Sequence, residues 1–300
     1  MHRIRRIEYT IAWDFNHKLY NTAYDTRESL DKLTYLALLF YITDHRPRIK
    51  TEMDASLEDA LTSALSITTS AQSRLVKHSP SLEAALHNSQ QQDIPPIAIG
   101  PAEGQYLSIL CRLIGAKHIL EIGTLGGYST LWFVDSVPGV KVTSIEINPR
   151  HRDVALQNIK ASPSAENAEV ILGAALDVLP ALSTEGRVFD FVFIGKLLML
   201  LLNRAALTKV ACADADWNEQ AQYFEWAVKL TRPHGCIFVD NAFRQLSESA
   251  AEENAEFGEA LIKSVEVDIR VTATLIPTLG THRKTKLLEN IDGFLMAIVN

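Results

Sequence analysis

An acid, three glycines and a set of hydroxyl-bearing residues crowd together in Glu121-Ile122-Gly123-Thr124-Leu125-Gly126-Gly127-Tyr128-Ser129. Glycines let a backbone turn sharply and approach a ligand closely. A helix that starts just after them offers free N–H groups. That combination suits a nucleotide-like ligand held largely through the backbone. A dinucleotide fingerprint would need glycine at 123, 125 and 128, and Leu125 and Tyr128 break it, which disfavours nicotinamide chemistry. Roughly 20 residues further on stands Glu146, at the spacing where an acid grips ribose hydroxyls in nucleotide folds. Gly173-Ala174-Ala175, with Asp177 nearby, makes a small-residue turn suited to an adenine edge. Ser129 has no His and Asp context, so a hydrolase is rejected, and the histidines show no metal-ligand spacing.

These residues sit at the ends of elements that alternate. His118 to Ile122 is a short apolar run, followed by helical periodicity from Leu125 to Val137. Further strands are expected at Val140 to Ile145, Ala168 to Leu172, Phe189 to Ile194 and Cys236 to Val239, with two more near Arg270 to Ile276 and Gly293 to Val299. Helices are expected from about Ala102 to Ile114, Pro149 to Ala161, Gln220 to Leu230 and Glu248 to Ser264, with an accessory helix from about Leu57 to Lys77. Residues Gln90 to Pro101 read as a loop. Short buried strands alternating with amphipathic helices imply an α/β fold, with a mostly parallel seven-stranded sheet and helices on both faces. On such sheets ligands sit at the carboxyl ends of the strands. Residues 1–90 are expected to form an N-terminal extension with accessory helices, and 91–300 the ligand-binding domain.

The 300 residues are 47% hydrophobic and 22% charged, which suits one large domain with appendages. A formal charge of −7 argues against a protein that grips a nucleic-acid backbone. Cys111, Cys212 and Cys236 are scattered, fitting a reducing compartment and offering no zinc site. The apolar runs at Leu33 to Thr43 and Leu197 to Leu202 are too short to span a membrane. A cytoplasmic protein with neither a nucleic-acid nor a membrane partner is the expectation.

Taken together, Ile119 to Thr124 running into Gly127-Tyr128-Ser129-Thr130 resembles the first motif of the cation-dependent O-methyltransferases, the group that contains catechol and caffeoyl-CoA O-methyltransferases. The resemblance covers roughly Ile97 to Val299 and points to a fungal-type member with a Rossmann-like class I methyltransferase fold. It implies S-adenosylmethionine (SAM) as cofactor. Glu121, Gly123, Thr124, Gly127, Tyr128 and Ser129 would then surround the methionine and ribose part, with Glu146 on the ribose diol, Ala174 along the adenine and Asp216 also at the cofactor. The family ends its fourth strand in Asp-Ala-Asp and its fifth in Asp-Asn, which appear here as Asp214-Ala215-Asp216 and Asp240-Asn241. Asp214, Asp240 and Asn241 are thereby implied as ligands of a divalent cation, and two carboxylates with an amide oxygen suit Mg²⁺. Asp214 would be the catalytic one. A catechol-like acceptor and a homodimer are implied in the same way.

Two departures stand out. The family carries a lysine three residues after its first metal aspartate, a candidate general base, and this chain has Trp217, which cannot take a proton. The fourth strand should meet its aspartate at once, but residues 195–213 intervene. Removing them would give Phe-Ile-Asp-Ala-Asp. Two readings of the segment stay open. One is a genuine insertion, a helix from Lys196 to Val210 looped out beside the site. The other is a translated, unspliced intron, since Gly195-Lys196 can be encoded with GTAAG, Leu207-Thr208 with CTAAC and Ala213-Asp214 with GCAG followed by AT. A catalytically impaired SAM-binding relative is the alternative to an active enzyme.

Overall fold

The computed structural model describes residues 59–195, 219–246, 252–279 and 291–300. The chain divides into two compact units, Met1–Ala60 and Leu61–Asn300, and all but the last two residues of the first lie outside the described residues. The second unit carries the sheet and the helices that cover it.

Helix α1 is described through 61–75 of this unit, and α2 (Pro80–Gln91) and α3 (Pro101–Leu113) come next. Then come β1 (His118–Ile122), α4 (Tyr128–Ser136), β2 (Lys141–Glu146), α5 (Pro149–Lys160), β3 (Ala168–Leu172), α6 (Ala175–Thr184) and β4 (Phe189–Ile194). Past residue 219 the chain continues with α7 (Gln220–Leu230), β5 (Thr231–Val239), α8 (Ala242–Leu246), α9 (Glu252–Glu266), β6 (Val271–Leu279) and β7 (Ile291–Val299). The seven strands form one sheet in the order β3-β2-β1-β4-β5-β7-β6. Neighbours pair in parallel from β3 to β5, and β7 runs antiparallel to both β5 and β6. This is the mostly parallel, doubly covered sheet that the alternating pattern implies. The order reverses between β1 and β4, so the ends of those two strands form the crevice where a ligand fits.

Side chains on successive strand positions face opposite sides, and here both sides are covered. Ile119, Phe191, Phe193 and Phe238 pack under α3 and α4 with Leu107, Leu131 and Phe133. Leu120, Ile122, Val192 and Ile194 pack on the other face against Leu179, Tyr223, Phe224 and Leu261. That is why the inner strands read as continuous apolar runs instead of alternating ones. Leu82 and Ala85 of α2 belong to the first core. Helix α2 starts on Ser79, whose hydroxyl accepts from the Leu82 N–H at 3.3 Å, with Pro80 at its first position. Among the described residues no helix is long and apolar enough to cross a membrane.

Candidate functional site

The turn after β1 is held open by backbone geometry. Gly123, Leu125 and Gly127 all have positive φ, at 97°, 51° and 77°. Gly127 is needed twice over: its backbone is left-handed, and a Cβ there would press on Ala155 at 3.3 Å. Leu125 holds its sparsely populated conformation because its N–H donates to Glu146 Oε2 at 2.8 Å. The other oxygen of Glu146 accepts the Asn148 N–H at 2.9 Å, so this buried carboxylate ties the loop to the start of α5. His151 Nδ1 lies 3.7 Å from the same oxygen. An ionised carboxylate offers about four lone-pair sites, and the two backbone donors leave room for further partners.

Glu121 lies beneath the loop, fully buried at 0% exposure. Its carboxylate accepts from the hydroxyls of Ser129, Thr130 and Ser144. Burial pushes its pKa up to about 7, the Glu146 charge adds to the rise, and the three hydroxyls oppose it. Behind this cluster Thr124 and Ser144 share a hydrogen bond. Glu121 therefore braces α4 and β2 around the glycine turn.

A cleft of about 610 Å³ opens beside the loop. Gly123, Thr124, Tyr128 and Ser129 line one wall; Phe193, Gly195 and Asp240 line it at the ends of β4 and β5. The opposite wall is Ile94, Pro95, Pro96 and Ile97, the segment between α2 and α3. The sequence reading assigns that segment no function; its apolar residues and paired prolines are the signal that a stiff, greasy wall is built there. Asn158 binds the two walls together: its Nδ2 donates to Gly126 O at 2.8 Å and to Ser89 Oγ at 3.1 Å, and Asn88 Nδ2 donates to its Oδ1 at 2.7 Å.

The expected cofactor residues therefore divide by place. Gly123, Thr124, Tyr128 and Ser129 face the cleft. Glu121 and Glu146 stand behind it, and Gly127 caps α4. Ala174 precedes α6 and lies with Gly173 and Asp177 in a separate depression of about 450 Å³. Asp216 lies outside the described residues, as do Asp214 and Trp217.

At the other half of the crevice, Ile194 is in register with Val239, so Gly195 sits beside Asp240. The Asp240 N–H donates to Ile194 O and the Gly195 N–H to Ile122 O, at 2.9 and 3.0 Å. Gly195 thus occupies the strand-end position where the resemblance expects an aspartate, and it brings no ligand atom. Asn241 comes next with φ 56°, and its backbone N–H donates to Asp240 Oδ1 at 2.7 Å. Its Nδ2 donates to Asp292 Oδ2 at 2.8 Å. Its Oδ1 is buried and has no hydrogen-bond partner among the described residues. Leaving such an acceptor unmet costs about 1–3 kcal/mol. A hard cation takes oxygen donors of this kind, so Asp240 and Asn241 fit the group that the resemblance implies. Among the described residues no three acidic, His or Cys side chains come together as a complete metal cage.

Glu103, in the first turn of α3, brings a carboxyl against Asp240. Burial and then the charges of Asp240 and Asp292 hold it well above the usual carboxylate range, against the pull of the Gly100 N–H. The sequence reading uses α3 only for its apolar face, so Glu103 and Asp292 are both additions from the structure. The two thiols among the described residues are inert: burial pushes Cys236 up to about 12 and Cys111 further still.

Comparison with known proteins bears on the same site. The family model described as O-methyltransferase matches residues 69–196, ending where β4 gives way to the intervening segment. A catechol O-methyltransferase of Mycobacterium tuberculosis is 34% identical over 230 residues, which covers 76% of this chain and 92% of that protein. An O-methyltransferase of Aspergillus flavus is 33% identical over 229 residues, covering 73% and 82%. Among solved structures, the Bacillus cereus O-methyltransferase in complex with SAH aligns with a TM-score of 0.65 at 30% identity, covering 78% of this chain and 97% of that one. TomG of Streptomyces achromogenes, in complex with SAM, aligns at 0.64 and 30%, covering 78% and 96%. With relatives at 33% and 34% identity over about three quarters of its length, the chain belongs to the O-methyltransferase family.

Proposed function

We propose that this chain transfers the methyl group of SAM to a hydroxyl of a catechol-like small molecule, with a divalent cation such as Mg²⁺ held by Asp240, Asn241 and Asp214. One observation carries the reading: a buried amide oxygen on Asn241 with no partner among the described residues, one residue after Asp240, which lines the cleft that the glycine turn opens. A bound cation would draw the acceptor's two adjacent oxygens together and favour loss of the hydroxyl proton.

The remaining work is positional. The glycine turn leaves space for the nucleoside and its methionine tail against Thr124, Tyr128 and Ser129. Glu146, braced by two backbone donors, presents its spare lone pairs to the sugar diol. Phe193 and the 94–97 wall exclude water from the reacting pair. SAM held at the glycine turn would supply an electrophilic methyl carbon to the acceptor oxygen, with the electron pair of the broken carbon–sulfur bond going to sulfur. The hydroxyl proton leaves to solvent or to a base other than Trp217. Holding the two partners in line is the chief source of rate in such a displacement. The acidic balance favours a small phenolic partner over nucleic acid. A homodimer extends from the same resemblance, and light scattering on the purified chain checks it.

Gly195 beside Asp240 and Trp217 in place of a lysine favour a second reading, a SAM-binding relative that has lost turnover. Calorimetry with SAH, paired with catechol turnover in the presence and absence of Mg²⁺, separates the two. Metal-dependent turnover supports the first reading. SAH binding without turnover supports the second, and no affinity for SAH removes both.

A further inference from the structure

An amide side chain has two nearly identical ends, and a cation site works with only one of them. Asn241 faces this choice. The structure resolves it from a strand 51 residues away. Strand β7 returns antiparallel to β5, with Val239 opposite Leu295, and this brings the start of β7 beside the turn that ends β5. Gly293 lets the strand come close: a Cβ there would fall on the Ile276 carbonyl oxygen and against Phe243 of α8. Asp292 then has both oxygens assigned. Oδ1 accepts the Gly293 N–H at 2.9 Å, and Oδ2 accepts Asn241 Nδ2 at 2.8 Å.

We propose that Asp292 is a positioning residue for the cation site, turning the Asn241 amide so that Oδ1 faces the cation; this rests on the divalent-cation reading above. The physical reason is that an ionised carboxylate can only accept hydrogen bonds. It therefore draws the nitrogen end of the amide and leaves the buried oxygen end, which has no partner among the described residues, for a cation. Ligating side chains are commonly held in this way by groups one step further out, and loss of such a group weakens metal binding about 10–100-fold.

The test uses the full chain and Mn²⁺ as the probe, followed by its paramagnetic resonance signal. SAH affinity and melting temperature are measured on the same preparations. Asp292→Ala is expected to weaken Mn²⁺ binding about tenfold or more while SAH binding stays unchanged. Asp292→Asn removes the charge but keeps a carbonyl acceptor for Asn241 Nδ2, and is expected to recover part of the loss. Asn241→Ala reports on the cation site itself. If Asn241→Ala loses Mn²⁺ while Asp292→Ala binds it like the parent chain, the positioning role is overturned and the cation reading stands. If the parent chain binds no Mn²⁺, both fall together. If Asp292→Asn is as weak as Asp292→Ala, charge and not orientation is responsible, and the proposal fails. It fails too if Asp292→Ala loses SAH and melts early, because support of the fold then accounts for the effect.

Discussion

The two halves of the crevice are built on opposite plans. At the ends of β1 and β2 the site carboxylates have protein partners: Glu121 takes three hydroxyls, and Glu146 takes the Leu125 and Asn148 N–H groups. At the ends of β4 and β5 the arrangement is less complete: Asn241 Oδ1 has no partner among the described residues, the Glu103 carboxyl feels the charges of Asp240 and Asp292, and a glycine stands at the strand end. The first half is preorganised without a ligand. The second gathers carboxyl groups beside an amide oxygen that no described residue satisfies. Preorganisation on one side and incompleteness on the other teach that cofactor affinity and turnover should separate cleanly under mutation.

The largest expected effect tests that separation directly. Asp240→Asn should lower kcat/KM with a catechol by on the order of a thousandfold, since a bound cation supplies several kcal/mol of charge stabilisation. SAH affinity by calorimetry should stay as in the parent chain. Equal loss of both would mean that the two halves act as one unit, and the comparison would break.

Next in size is a pH effect confined to the closed half. The Glu121 carboxyl is pushed to about 7 in the folded chain by burial, from an ordinary value of 4.5. Between those values the folded state holds a proton that the unfolded state has released, so stability falls as pH rises from 4.5 to 7. At about 1.4 kcal/mol per unit, the drop is at most roughly 3 kcal/mol. Urea unfolding at about pH 5 and about pH 7.5, on either side of most of that range, should show a clearly flatter dependence in Glu121→Gln. A slope equal to that of the parent chain would mean that Glu121 is ionised throughout.

The third experiment sharpens the open half. Deleting residues 195–213 places Asp214 directly after Ile194, in register beside Asp240 where Gly195 now stands. Turnover should rise about a hundredfold, the scale that correct placement of a reacting group commands. Equal or lower activity would count against that register. Sequencing of the mature transcript bears on the origin of the segment: uninterrupted reads through 195–213 in every message would rule out a retained intron.

How much of this was legible depends on how local the signal is. β1, β3 and β4 run over the residues that the apolar runs mark, because a buried strand flanked by turn residues carries its own pattern. Helix α2 gives almost no periodicity, burying only Ser81, Leu82 and Ala85; its one clear sign is Ser79-Pro80 at the start. Helix α6 contains Pro180, which reads as a breaker, yet the helix absorbs it. Strand β5 begins five residues before the apolar run Cys236 to Val239, because Arg232-Pro233-His234-Gly235 looks like a turn and sits where the β4 register shifts. In the site, motif and spacing mark Gly123, Ser129, Glu146 and Asp240. They cannot mark Glu103 or Asp292, whose partners are reached only once α3 and β7 have packed.

The smallest predicted effect concerns the tie between the two walls of the cleft. Asn158 is buried at 4% exposure, and its amide meets the Gly126 carbonyl, Ser89 and Asn88 at once. Asn158→Ala leaves the Gly126 carbonyl and the Asn88 amide short of a partner, a loss of about 1–2 kcal/mol in urea unfolding. Because the glycine turn is then tied to α2 by fewer bonds, SAH affinity should fall severalfold while Mn²⁺ binding at Asp240 and Asn241 stays put. That pattern is the mirror image of Asp240→Asn. A variant that weakened Mn²⁺ as much as SAH would show strain passing from the closed half to the open one, and their independence would be lost.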